Sequence, residues 1–143
     1  MDPGDFGYDV LSALLYGLVG LVLMGAGWVV IDMLIPGKLA DLILRDRRRD
    51  AGLVAAAGML AISAIVTASI AASDDDLGEG LLETAAFGGV GILLLALAFV
   101  AVDRITPGSL GEVLADEHED QAAAWVTAAA LLGVGAIIAA AVS

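Results

Sequence analysis

Residues 5–72 of this chain align without a gap on residues 76–143, a shift of 71 positions. Sixteen of the 68 aligned positions are identical, and many of the rest exchange one apolar residue for another. The best-kept stretch sets Asp32-Met-Leu-Ile-Pro36-Gly37-Lys-Leu39 on Asp103-Arg-Ile-Thr-Pro107-Gly108-Ser-Leu110. Gly17 and Gly20 fall on Gly88 and Gly91. Each copy contains two long apolar runs. The repeating unit therefore reads as a two-helix membrane hairpin used twice, within a single membrane domain over residues 1–143.

Hydrophobic residues make up 60% of the chain, and its mean hydropathy is +0.96. Soluble domains are usually nearer to about 45–50% apolar. A soluble core of this size could not hide so much apolar surface, so lipid is the natural solvent. Four segments are long enough for the roughly 20 residues that cross a bilayer. They are Val10–Ile31, Ala51–Ala72, Thr84–Val102 and Ala122–Val142. None contains a charged residue or a proline, and each is apolar all round, unlike the helices of a soluble bundle.

The basic residues orient these spans. Lys38, Arg45, Arg47, Arg48 and Arg49 follow span one, and Arg104 follows span three. The N-terminal tail and the segment from Ser73 to Glu83 carry none. Positive charge is retained on the cytoplasmic side, so both hairpin loops should be cytoplasmic and both termini outside. Two spans per copy make the repeats parallel. Met1–Asp9 has three aspartates and no basic residue, unlike a signal peptide. Trp28 and Trp125 fall near the predicted cytoplasmic boundary and Tyr8 near the outer one, as interfacial aromatics should.

Spans two and four are mostly small residues. Ala57, Ala61, Ala64 and Ala68 form one seam, and Ala129, Gly133, Ala136 and Ala140 another. Small seams allow close backbone approach in lipid, which predicts spans two and four at the centre of the bundle. Four thin helices make a small bundle, so a homo-oligomer is expected.

Asp32 and Asp103 each precede a Pro-Gly pair by four residues. Pro36 and Pro107 cannot continue the spans but suit the first turn of a new helix. Thr106 would cap that helix in the second copy. Pro36–Leu44 and Pro107–Ala115, with Gly37 and Gly108 at their second positions, read as short interfacial helices. Leu39, Leu42 and Ile43, or Leu110, Val113 and Leu114, would face lipid. The two aspartates have two readings. Acids within spans suggest a proton or cation site. Acids at the headgroup boundary can instead brace the turn into the Pro-Gly helix. Asp32 lies 23 residues after Asp9, about 34 Å at helical rise, which favours the boundary. Trp28 and Phe99 each stand four residues before an aspartate, on the same helix face.

The hairpin loops diverge. Arg45-Asp-Arg-Arg-Arg49 aligns with Asp116-Glu-His-Glu-Asp120. Arg45, Arg47, Arg48 and Arg49 could pair with Asp116, Glu117, Glu119 and Asp120, within one subunit or across an interface. Alternatively the arginines only hold the first loop inside and the acids only solvate the second. His118 reads as a solvated loop residue. Asp74–Asp76 with Glu79 and Glu83 lack a calcium-loop pattern and read as a solvated acidic turn.

The chain carries 18 acids against 6 bases, a net charge of −12. Such a surface argues against nucleic acid as a partner. With no cysteine and one histidine, thiolate chemistry and a zinc cluster are excluded. No nucleophile–base pair or phosphate-cradling loop appears, so no cofactor, no metal and no enzymatic activity are expected.

Two tandem two-span repeats, each with Asp-x-x-x-Pro-Gly-x-Leu after its first span, resemble domain-of-unknown-function family 350, the YjfL-type inner membrane proteins. The resemblance runs from Val10 to Val142 and is strongest at Asp32–Leu39 and Asp103–Leu110, supported by Ala51-Gly-Leu-Val-Ala-Ala-Ala-Gly58. It implies a four-span prokaryotic cytoplasmic-membrane protein with no established activity, and it hints at envelope maintenance or stress. The second copy departs from the pattern in its acidic loop. The sequence thus points to a small non-enzymatic membrane protein acting through helix packing and cytoplasmic-loop contacts with a protein partner. The rival reading is a proton or cation channel or transporter using Asp32 and Asp103.

Overall fold

The computed structural model describes residues 3–35, 39–44, 49–74, 76–105 and 121–143. Among these residues five helices appear: α1 (Pro3–Leu34), α2 (Leu39–Leu44), α3 (Arg49–Ala71), α4 (Leu77–Ile105) and α5 (Gln121–Val142). The regular structure among the described residues is entirely helical, and α1, α3, α4 and α5 are long and apolar enough to span a membrane. Among the described residues, 22 large hydrophobic side chains stand exposed, a surface that suits lipid rather than water.

Packing fixes the direction of each helix. Gly27 of α1 meets Ile62 of α3, and Ile31 meets Gly58, so α1 and α3 run antiparallel. Thr84 meets Ser69 and Gly91 meets Ile65, which makes α3 and α4 antiparallel as well. Tyr16 and Leu23 of α1 lie against Gly80 and Gly88 of α4, so those two helices are parallel. Leu53 and Ala57 flank one groove with Trp125 and Ala129, and Ala61 meets Gly135 farther along, so α3 and α5 are also parallel.

The glycines at these crossings are holes for branched side chains. A methyl added at Gly27 would lie 2.6 Å from Ile62 Cδ1, and one at Gly58 would lie 2.5 Å from Ile31 Cδ1. Each helix thus offers a hole to the other's isoleucine, which is how close packing substitutes for the hydrophobic effect in lipid. At Gly135 the neighbour is Ala61, whose Cα would be 2.8 Å from an added Cβ. Here two backbones nearly touch.

α3 is the hub: it packs against α1, α2, α4 and α5. Half of its apolar window is buried, against 28% for α5 and 17% for α1. The expectation that spans two and four share the centre therefore holds for α3 alone. The seam predicted on span four is also corrected. Ala129, Gly133, Ala136 and Ala140 are all exposed, and α5 packs instead through Ala124, Thr127, Ala128, Leu131, Gly135 and Ile138. On α3, Ala57 and Ala61 are buried as expected, but Ala64 is exposed.

α1 and α4 are longer than their predicted spans and run on through Asp32 and Asp103. α4 also begins early, because Asp76 caps it. Asp76 Oδ1 accepts from the backbone N–H groups of Gly78 (3.0 Å) and Glu79 (3.2 Å), satisfying two donors of the first turn. α2 lies within the first expected interfacial helix. Its Leu42 is buried against the bundle and Ile43 is partly buried there, rather than facing lipid. Leu44 is exposed. The second expected short helix, Pro107–Ala115, lies outside the described residues.

Candidate functional site

Asp32 sits in the last turn of α1, one residue turn short of where the helix ends at Leu34. The terminal carbonyls there carry partial negative charge, which disfavours an acid. No basic residue occupies that turn. The side chain is half-buried, and its Oδ1 is buried with no hydrogen-bond partner among the described residues. Asp103 occupies the matching place near the end of α4, also half-buried, but with Arg104 beside it in the last turn. Trp28 is partly buried and Phe99 buried, which places an aromatic on the packed face one turn before each acid.

Neither aspartate lines the apolar cleft inside the bundle. This cleft among the four long helices is lined by Val30 and Leu34 of α1 with Ala96 and Phe99 of α4. Asp32 follows Ile31, which also lines the cleft, but does not itself line it. The cleft is apolar and holds only about 10 Å³, at most the room of a single water. The acids also differ in level. Leu23 packs on Gly88, whereas the sequence repeat pairs Gly17 with Gly88. α1 is therefore displaced along its axis by six residues, about 9 Å, from the register of the repeat. Asp32 comes level with Leu97 rather than with Asp103.

Polar groups inside the bundle are few and already bonded. Ser69, Thr84 and Thr127 are the buried polar residues among those described. Ser69 donates to the Ile65 carbonyl (2.9 Å), Thr127 to the Ala123 carbonyl (2.8 Å), and Thr84 to the Ser69 carbonyl at a long 3.5 Å. No group of three His, Asp or Glu side chains that could hold a metal occurs among the described residues.

The opposite end carries a polar knot that the sequence reading treated as a solvated turn. The Ser73 hydroxyl is hydrogen-bonded to the Tyr16 hydroxyl (3.2 Å) and to the Ile70 carbonyl (2.8 Å). Glu83 accepts from the Asp74 backbone N–H (3.0 Å), and Asp74 accepts from that of Asp76 (3.0 Å). Gly80 is buried beneath this knot, with the Tyr16 hydroxyl and the Asp74 carbonyl where a side chain would go. The Asp76-x-x-Glu79 spacing is a capping signature from which the helix start could have been read. Nothing in the sequence marks Tyr16 as its partner.

Of the expected loop contacts, Arg49 is described: it opens α3 and is exposed. Pro36, Gly37, Arg45, Arg47, Arg48, Pro107, Gly108, Asp116, Glu117, Glu119 and Asp120 lie outside the described residues, as does His118.

Comparison with known proteins places this arrangement. A family model described as Domain of Unknown Function (DUF350) matches residues 5–142. A UPF0719 transmembrane protein of Mycolicibacterium paratuberculosis is 37% identical over 133 residues, covering 93% of this chain and 87% of that protein. UPF0719 transmembrane proteins of Mycobacterium bovis and Mycobacterium tuberculosis are each 36% identical over 136 residues, covering 95% of this chain and 89% of theirs. No solved structure matches the chain.

Proposed function

The chain belongs to the DUF350 family of membrane proteins of unknown function, and from that premise we propose that it is a non-enzymatic, homo-oligomeric protein of a prokaryotic cytoplasmic membrane. It works through helix packing and through its cytoplasmic loops. The supporting observation is the interior of the described bundle: it is apolar, and its buried polar residues are hydroxyls bonded to helix carbonyls. A water-lined path or a catalytic pocket needs more polar lining than this. Function then falls to the surfaces, and the strongest chemical contrast in the chain is the Arg45–Arg49 loop against the 116–120 acidic loop. The loops are cytoplasmic and both termini outside, as the distribution of basic residues requires. Two tandem parallel hairpins, with α2 at the cytoplasmic interface, present both loops on one side.

The test is affinity capture from gently solubilised membranes, with wild type beside a variant in which Arg45, Arg47, Arg48 and Arg49 become Gln. A partner retained by the wild type and lost from the variant is expected. Equal capture by both would remove the basic loop from the function.

A second reading rests on Asp32 Oδ1, a buried carboxylate oxygen without a partner among the described residues. Such a group in a span marks a proton or cation site. It predicts flux in proteoliposomes that disappears in a folded Asp32→Asn/Asp103→Asn double variant. Absence of proton, Na⁺ and K⁺ flux across a range of pH and voltage would end this reading.

A further inference from the structure

A groove of about 210 Å³ runs along the surface between the parallel helices α3 and α5. Ala57 and Ala128 are buried at its floor, and Leu53, Leu60, Trp125 and Leu132 form its rim. From Leu53 to Leu60 it covers about 10 Å at helical rise. A helix of that length, about 10 Å across, fills roughly 800 Å³. The groove therefore admits an extended chain and not a seated helix. Just past its far end Ala61 meets Gly135, so the slot is closed toward the middle of the bundle.

Its near end is charged. Arg49 opens α3 and is exposed. Arg49, Leu53, Ala56 and Leu60 follow one another at helical spacing, so Arg49 belongs to the face that lines the groove, one turn before it begins. Asp50 lies about 100° round the helix from that face. Arg45, Arg47 and Arg48 directly precede Arg49 in the sequence. The other end of α3 leads into Asp74, Asp76, Glu79 and Glu83, with no basic residue from Ser73 to Glu83. Trp125 stands exposed on the rim at the Arg49 end, and its ring with one N–H is the kind of side chain that sits at headgroup level.

We propose that this groove binds an anionic phospholipid, with one acyl chain lying between α3 and α5 and the phosphate held by Arg49. The site goes beyond the reading of the loops as protein contacts and does not rest on it. The order of chemistry along the groove is that of a lipid. A guanidinium, which pairs bidentately with phosphate oxygens, comes first. An interfacial aromatic follows, and then an apolar slot that takes up most of the about 15 Å one leaflet provides. Bulk lipid would satisfy the slot alone, whereas the arginine at its head selects by charge. One arginine near the membrane surface is worth about fivefold in preference for an anionic over a zwitterionic headgroup. The rival partner for Arg49 is the acidic stretch 116–120, which would leave no such preference.

Trp28 and Trp125 are the two tryptophans of the chain, so Trp28→Phe leaves Trp125 as the reporter on the groove. The full chain with this change would be reconstituted in vesicles of phosphatidylcholine and phosphatidylglycerol, with bromine on the acyl chains of one lipid or the other to quench nearby indole fluorescence. The expected result is a relative binding constant for phosphatidylglycerol about fivefold above that for phosphatidylcholine. Arg49→Gln should bring this ratio close to one. Ala129→Leu, at an exposed position lining the groove, should fill the slot and also remove the preference, with helix content by circular dichroism unchanged. A ratio of one before these changes overturns the site. A preference that survives Arg49→Gln overturns the headgroup contact, and one that survives Ala129→Leu places the lipid outside the groove. Trp125 quenched by neither lipid would mean that protein covers the groove, which overturns the proposal too. The same preference read at Trp28, in a Trp125→Phe protein, would be general enrichment of anionic lipid around the chain and would also overturn it.

Discussion

α3 and α5 align with each other in the two halves of the sequence, yet α3 is the hub of the fold and α5 is far less buried. Half of the apolar window of α3 is buried, and little more than a quarter of that of α5. The difference lies in the neighbours each helix has among the described residues. α3 therefore uses one face for α1 and α4 and another for α5, whereas α5 has α3 and α4 alone as principal neighbours. Composition follows. α3 carries Ile62 and Ile65, which fill glycine holes on α1 and α4. At the aligned positions α5 carries Gly133 and Ala136, which have no such hole to fill. Similar sequences at different places in a topology thus acquire different packing duties.

The sharpest way to break this contrast is to enlarge neighbouring glycines on α5. Gly135→Leu must push apart two touching backbones, and its cost should exceed the roughly 1–3 kcal/mol typical of overpacking. Loss of folded protein, followed by circular dichroism in detergent, is the expected result. Gly133→Leu, two residues away, should leave protomer unfolding within about 0.5 kcal/mol of wild type. Similar losses for both would erase the distinction between the packed and open faces.

Next in size is Ile62→Ala. It empties the hole over Gly27 and should cost about 2–5 kcal/mol in reversible unfolding. A cost below 1 kcal/mol would mean that α1 and α3 collapse to close the gap, and that their glycine–isoleucine contacts are not specific.

Smaller effects probe the α3–α4 turn. Asp76→Ala removes the cap of α4 and should cost about 1 kcal/mol, visible as faster amide exchange at Gly78 and Glu79. Tyr16→Phe deletes the bond to Ser73 and should cost about 0.5–1.5 kcal/mol. If it leaves thermal unfolding unchanged, the knot does not fasten α1 to the turn.

The four spans were legible because each is an uninterrupted apolar run longer than a bilayer requires. Which face of each span packs was not. In lipid both the buried and the exposed faces are apolar, so hydrophobic periodicity carries no direction. On α5 nearly every residue is small, and the seam chosen from spacing alone was the open one. The start of α4 was missed for a different reason. Leu77–Glu83 is acidic enough to end a hydropathy window, although Asp76 and Glu79 together signal a helix start. The motif aspartates were found by their repeated spacing, but their separation depends on the displacement of α1, which no local pattern encodes. Leu42 was sent toward lipid on amphipathicity, and α3 claimed it instead.

That displacement has a consequence for the membrane itself. α1 extends beyond the start of α4 at one end of the bundle, and α4 beyond the finish of α1 at the other, each by roughly 10 Å at helical rise. A slab of uniform thickness centred on α3 and α5 cannot match both. The bilayer must thin beside one helix or the helix must tilt, at a fraction of a kcal/mol per ångström of mismatch. Asp32 then stands farther from the end where α4 finishes than Asp103 does. Two acids at aligned places in the two halves of the sequence thus occupy different levels along the helices, and a variant that restored their register would have to slide α1 past α4.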